Sequence, residues 1–300
     1  MRFALLALTW ALISANAALA QEVVEIPFAP GANSTWRIEE TRTRTNSREP
    51  QRNRAGVTRA TLRIGAETEE GYAASWTTDE LQAGGVVERG ETLPQFVGTP
   101  LAVEIDIAGA PSNIADWPGT RRRIMEAVAD VSDNDDPAAL AAVERMMAAW
   151  TPAQAAQILL QTVSIISICQ HTGLAIGAPV EAETLVANPF GGEGIAGVER
   201  LELISVDRAA NTARLRYGRS LNPESATRAI MTGLRNMMRE AGAQSDLGEM
   251  EGMTLTHDTS AECEVDLTTG VTRAATYDVR VTMGDMVQTD RREIRVQRAG

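Results

Sequence analysis

The stretch MTLTHDTSAECEVDL, residues 253–267, carries the clearest structural signal in the chain. Its odd positions read Met253, Leu255, His257, Thr259, Ala261, Cys263, Val265, Leu267. Its even positions read Thr254, Thr256, Asp258, Ser260, Glu262, Glu264, Asp266. One face is mostly apolar and the other wholly polar. Successive side chains of a strand point to opposite faces, so this alternation predicts a strand of an antiparallel sheet with one face buried and one solvated. Thr268-Thr269-Gly270 then supplies a glycine for a hairpin bend, and Val271, Ala275, Tyr277, Val279, Val281 and Met283 continue the pattern on the return strand. Gly284-Asp285 turns the chain again, and Ile294 and Val296 mark a last, weaker strand.

The same rule finds strands elsewhere. Leu101, Val103, Ile105 and Ile107 share a face, with Glu104 and Asp106 opposite. Leu62, Ile64 and Ala66 are expected to pair with Tyr72, Ala74 and Trp76 across Glu67 to Gly71. Trp36 and Ile38 open a first strand, and Val198 to Val206 and Ala213 to Tyr217 form a hairpin across Asp207 to Asn211. Helices start three times in one way: Asp136-Pro137, Thr151-Pro152 and Asn222-Pro223 each set a capping side chain before a proline at the first helical position. These predict helices over 137–149, 152–170 and 223–241, with an earlier one over 119–131. The helix through Ile158, Leu159, Val163, Ile165, Ile166 and Ile168 is apolar around most of its circumference and is expected to be the most buried. Strands, a helical insertion at about 112–172, strands, one helix and strands again make an α+β fold: a curved, mostly antiparallel sheet with helices packed against it.

Compartment is read from the first twenty residues. MRFALLALTWALISANAALA has a charged start at Arg2, an apolar middle and small residues at Ala18 and Ala20. This is the pattern of a secretory signal peptide cleaved after Ala20, leaving one domain over 21–300 in the periplasm. The apolar run is too short for a spanning helix, and no later stretch is long enough either. Formal net charge is −12, from 28 basic and 40 acidic residues, and every basic residue other than the two histidines is arginine. The absence of lysine excludes Schiff-base chemistry. The acidic balance speaks against nucleic-acid binding, which needs positive surface to neutralise phosphates.

The chain has two cysteines and two histidines. Cys169, His171, His257 and Cys263 are of the right types for zinc, but C-x-H and H-x₅-C are not zinc spacings. A catalytic thiolate needs an accessible, electropositive setting, whereas Cys169 ends an apolar helix. In an oxidising compartment two lone cysteines pair, so a Cys169–Cys263 disulfide is expected, with two free thiols or a metal or catalytic site as the alternatives. His257 is expected on the inner face of the sheet as a satisfied core histidine. The Gly192-x-Gly194-x-x-Gly197 pattern lacks the strand before and helix after that a dinucleotide site requires. Asp133, Asp135 and Asp136 lack the glycine and late glutamate of a calcium loop. No G-x-S-x-G, HExxH or P-loop is present. No catalytic residue, metal or cofactor is therefore assigned. Arg42, Arg44, Arg48, Arg52 and Arg54 crowd one segment, read as a solvated hairpin tip or as a contact for anionic lipid headgroups or envelope polymer. Met231, Met237, Met238, Met250 and Met253 cluster about the last helix, either as core or as part of an apolar groove.

The layout resembles the half-barrel fold of the periplasmic lipoprotein carriers and related exported bacterial domains of unknown function. The resemblance rests on the helix ending at ICQHTG (168–173), the extended GAPVEAETLV (177–186) and the closing VDLTTGVTRAATYDVRV hairpin (265–281). The carriers are smaller than this chain, and no binding residue carries over. The resemblance implies an apolar cavity between sheet and helices, for which Ile158, Ile165, Ile166, Met231, Leu234, Met238 and Met253 are the candidate lining. The expected function is that of an exported, non-catalytic envelope protein that binds an apolar ligand, a lipid or a lipidated protein. The alternative is a structural or protein-interaction module of the periplasm with a filled core.

Overall fold

The computed structural model describes residues 22–84, 97–131, 137–170, 172–186, 188, 193–240 and 252–299. The expected leader, the Asp133–Asp136 acidic run, His171, Gly192 and Met250 lie outside them, as does the side chain of Met237. In chain order the elements are β1 (Val23–Ile26), β2 (Thr35–Asn46), β3 (Arg54–Thr68), β4 (Gly71–Gly84), β5 (Leu101–Asp106), β6 (Pro111–Ile114), α1 (Trp117–Val131), α2 (Pro137–Ala148), α3 (Pro152–Leu159) and α4 (Gln161–Ser167). They continue with β7 (Thr172–Ala175), β8 (Val180–Val186), β9 (Ile195–Asp207), β10 (Thr212–Leu221), α5 (Pro223–Glu240), β11 (Leu255–Asp266), β12 (Thr272–Met283) and β13 (Met286–Arg298).

Eleven strands form one antiparallel sheet in the order β6-β5-β4-β3-β2-β13-β12-β11-β10-β9-β8, and β1 pairs with β7 in a small second sheet. The large sheet stays open: its outer strands β6 and β8 do not pair with each other. It curves as a half-barrel with helices in its concave face. Alternation sets the faces as expected. On β11, Leu255, Thr259, Ala261, Cys263 and Val265 are buried, while Asp258, Ser260, Glu262 and Glu264 are exposed. The turn after β11 needs its glycine. Gly270 has φ +67°, and a Cβ there would lie 1.3 Å from the carbonyl oxygen of Pro27.

Several expectations are corrected. Residues 152–170 do not form one rod: the helix breaks at Leu160 (φ −108°, ψ 42°) into α3 and α4. The two pieces go to different places. Ala155 and Ala156 of α3 pack with Ile114, Trp117 and Met147, whereas Val163, Ile165 and Ile166 of α4 join the main core with Leu215, Val265 and Ile294. The last strand is not weak. β13 is thirteen residues long and sits at the centre of the sheet, between β2 and β12. Ile107 leaves the strand face and is 56% exposed, because Asp106 Oδ1 accepts from the amides of Ala108 and Ala110 and turns the chain. Leu62 pairs with Trp76 and Ile64 with Ala74, but a register shift follows and Tyr72 faces Glu67 rather than Ala66.

At α3 and α5 the helix starts follow their capping signals. Thr151 and Gln154 form a reciprocal capping box, and Asn222 Oδ1 accepts from the Ser225 amide at 2.9 Å. Cys169 and Cys263 are joined by a disulfide (Cα–Cα 6.4 Å) that ties the end of α4 to β11. Helix α5 lies at the other end of the concave face. Its Ala226, Ala229 and Ile230 pack with Ile195, Leu221, Leu255 and Val281.

Candidate functional site: a polar strip on the concave face

Register determines which side chains share the concave face. Cys263, Ala275 and Ile294 align across β11, β12 and β13, and Ile294 pairs with Glu40 on β2. This row lies under α4. Two residues further along each strand come Tyr217, Ala261, Tyr277, Arg292 and Arg42; next come Arg219, Thr259, Val279, Asp290 and Arg44. These two rows lie between the rows covered by α4 and by α5. They carry charge where the strand pattern elsewhere carries carbon.

The charges are organised. Arg292 and Glu40 are 5% and 6% exposed, and their side chains meet at 3.4 Å. Arg292 Nη2 also donates to Gln161 Oε1 at 2.6 Å and to Asp290 Oδ2 at 3.3 Å. Thr162 Oγ1 donates to the second oxygen of Glu40. The start of α4 is thus fastened to the sheet by a buried polar network. Arg42 grips Asp290 with both Nε and Nη2 (2.9 and 2.6 Å), and Arg44 stands 3.7 Å from the same carboxylate. Burial alone would raise the Asp290 carboxyl, but the Arg42 hydrogen bond and the charges of Arg292, Arg42 and Arg44 outweigh it and hold it below the usual range.

At the β10–β11 side, Tyr217 Oη donates to Glu199 Oε1 at 2.8 Å, and Arg219 reaches the same oxygen at 3.5 Å. Burial, with the neighbouring carboxylate, raises the Tyr217 phenol although Arg219 opposes it. His257 is half-buried; burial first, and then the charge of Arg219, lower its pKa. It lies on the inner face, as expected, but it is not satisfied: its Nδ1 makes no hydrogen bond. Arg219 Nε, Thr259 Oγ1 and Arg292 Nε are buried and likewise make none. Buried polar atoms are nearly always paired, so four such atoms on one face call for an explanation.

The candidate groove residues do not all come together. Ile165 and Ile166 are 4% exposed within the main core, and Met231 is 7% exposed on α5. Ile158, Leu234, Met238 and Met253 are half-buried. None of the seven lines either of two open depressions, of about 510 and 610 Å³, on the outer, charged face of β11–β13. The arginine segment also divides. Arg42 and Arg44 belong to the body of β2, on the concave face. Arg48 pairs with Asp285, Arg52 with Glu49 at 2.9 Å, and Arg54 donates to the Gln51 and Asn53 carbonyls, all about the β2–β3 turn. Sequence reading missed Arg219, Asp290 and Arg292. The signal was present: each has the parity of the apolar residues on its strand, as in Leu215, Tyr217, Arg219, Leu221.

Among the described residues, no group of three or more His, Cys, Asp or Glu side chains is placed to share a metal ion. Nor is any helix among them long and apolar enough to cross a membrane. No family model matches the chain, and no curated protein matches it.

Proposed function

We propose that the protein is an exported, non-catalytic binding module of the bacterial envelope, of the half-barrel carrier type, whose ligand is a lipid or lipid-modified chain. The supporting observation is the strip itself. Within it Tyr277 and Val279 are half-buried apolar side chains on β12, and Val279 is the register partner of Thr259, one of the unpaired polar groups of β11. Core contacts have already consumed Ile165 and Ile166, so the ligand surface is the strip between α4 and α5 rather than the α4 side of the sheet. Native mass spectrometry of protein purified from an exporting host tests this reading. A retained amphiphile supports it, and a clean unliganded mass at gentle settings counts against it. N-terminal sequencing of the same material should begin at Gln21.

A protein-interaction module is the second reading, and one edge of the sheet favours it. Among the described residues β8 has a single strand neighbour, β9. Val180, Leu185 and Val198 there are 54%, 74% and 49% exposed. An open edge with exposed apolar side chains is a template for strand addition. Glu181 and Glu183 would oppose their own copies, which disfavours self-pairing and points to a less acidic strand. A photoreactive residue at position 185 should yield one discrete adduct in the host, and the same residue at position 276, on the outer face, should not.

A further inference from the structure

Three polar side chains are neighbours on one face where β10 meets β11. Arg219 and Thr259 are register partners, and His257 lies two residues from Thr259 on the same face. Thr259 is 4% exposed and the Arg219 side chain 20%. Arg219 Nε, His257 Nδ1 and Thr259 Oγ1 are each buried without a hydrogen bond. Leaving three such atoms unpaired within one patch costs free energy that the fold does not recover internally. Glu199 accepts from Tyr217 and stands 3.5 Å from Arg219 Nη1, on the other side of the guanidinium from the unpaired Nε.

The chemistry of the three atoms defines what would satisfy them. Arg Nε–H can only donate, a threonine hydroxyl can donate, and a neutral imidazole can place its proton on Nδ1. Three neighbouring donors on one face, one of them cationic, match an acceptor-only group with at least two oxygens: a carboxylate or a phosphate. The adjoining surface is apolar. Thr259 pairs with Val279, and Tyr277, Val279 and Val281 share its face. We propose that Arg219, His257 and Thr259 bind the carboxylate or phosphate head of an amphiphile whose hydrocarbon chain lies along Tyr277 and Val279. This assignment rests on the amphiphile reading above and adds the head-group chemistry and its residues.

The chain has two histidines, so the ring resonances of His257 can be identified by their loss in His257→Gln. The mature protein is titrated with laurate, dodecyl phosphate, inorganic phosphate and the neutral ester monolaurin. Laurate and dodecyl phosphate should move the His257 resonances saturably, and inorganic phosphate should do so at higher concentration. Arg219→Gln should weaken laurate by about tenfold or more, the scale of a lost hydrogen bond to a charged group. It should leave monolaurin unchanged. Thr259→Val, which keeps the side-chain shape, should weaken laurate several-fold and carries the test if Arg219→Gln does not fold. If no anion moves His257, or if neither variant changes laurate binding, the assignment is overturned. Should inorganic phosphate alone move His257, the anion site stands and the amphiphile reading falls. If an amphiphile is retained in the mass spectrometer while His257 stays still, the amphiphile reading stands and the head-group assignment falls.

Discussion

Arg292 and Glu40 place two charges under the start of α4, each less than a tenth exposed. The energetics of such a pair are asymmetric. Desolvating both ions offsets most of their attraction, but removing Arg292 takes from buried Glu40 the cation it meets, whereas Arg292 without Glu40 still has Asp290. Arg292→Met is therefore expected to lower unfolding free energy by about 3–5 kcal/mol, and the double replacement Glu40→Met/Arg292→Met should lose less. Urea denaturation of both variants checks this; equal losses would show that the ions, rather than their pairing, hold α4. His257 makes a second prediction of the same kind. Its folded pKa lies below the unfolded value of 6.5, because burial and Arg219 disfavour the charged ring. Well above pH 6.5 both states are neutral and the group adds no pH dependence. As pH falls below 6.5 and through the folded value, the unfolded chain takes up the proton more readily and stability is lost. Wild type should thus lose more stability than His257→Gln between pH 7.5 and pH 5, measured as the shift in urea midpoint. Parallel pH dependences would mean that the imidazole is solvated.

Among the elements, α4 and the Cys169–Cys263 bond secure the apolar half of the concavity. Ile166 is 4% exposed, and its carbonyl accepts from Thr272 Oγ1 at 2.5 Å. Ile166→Ala should cost about 2–5 kcal/mol, the range for a large core truncation. The disulfide spans 94 residues, and a loop of that length stabilises by about 4–5 kcal/mol on the chain-entropy account. Reduced protein should melt well below oxidised protein in paired thermal scans, and an unchanged Tm would place the loop's order elsewhere. The pairing was legible in the sequence because only two cysteines were available and an export leader was expected. The β11–β12 hairpin was legible because parity is strict from 253 to 267 and glycine occurs where φ turns positive. The break at Leu160 was not. Residues 158–168 are apolar on nearly every side, so no stripe marks where one packing partner gives way to the next. β13 looked weak for a related reason. Asp290 and Arg292 occupy core parity, and only the tertiary partners Glu40, Gln161 and Arg42 make that tolerable. The polar strip was hidden for the same reason: its residues contradict the rule that located the strands.

Across the full sheet, the central strands join the two ends of the described chain. β2 pairs with β13 over a register that includes Ile38 with Val296 and Asn46 with Gln288, so the middle of the sheet is its least local part. Loop-closure entropy must be overcome before such contacts form, so the β2–β13 pairing is expected to be the last in the sheet to form. Before β13 docks, β2 and β12 each present an open edge. A chain shortened to end at residue 285 would keep that exposure permanently and would strip Glu40 and Arg42 of Arg292 and Asp290 on the inner face. It is expected to aggregate through those edges rather than fold as a smaller domain. In the intact protein, β13 amides should exchange only through global unfolding, whereas those of the edge strand β8 should exchange through local opening at lower free energy. Hydrogen exchange under mild denaturant measures both. If β13 exchanged as fast as β8, the sheet would have to be two independently stable halves, and the strip that crosses from β10 to β2 could not be held as one surface.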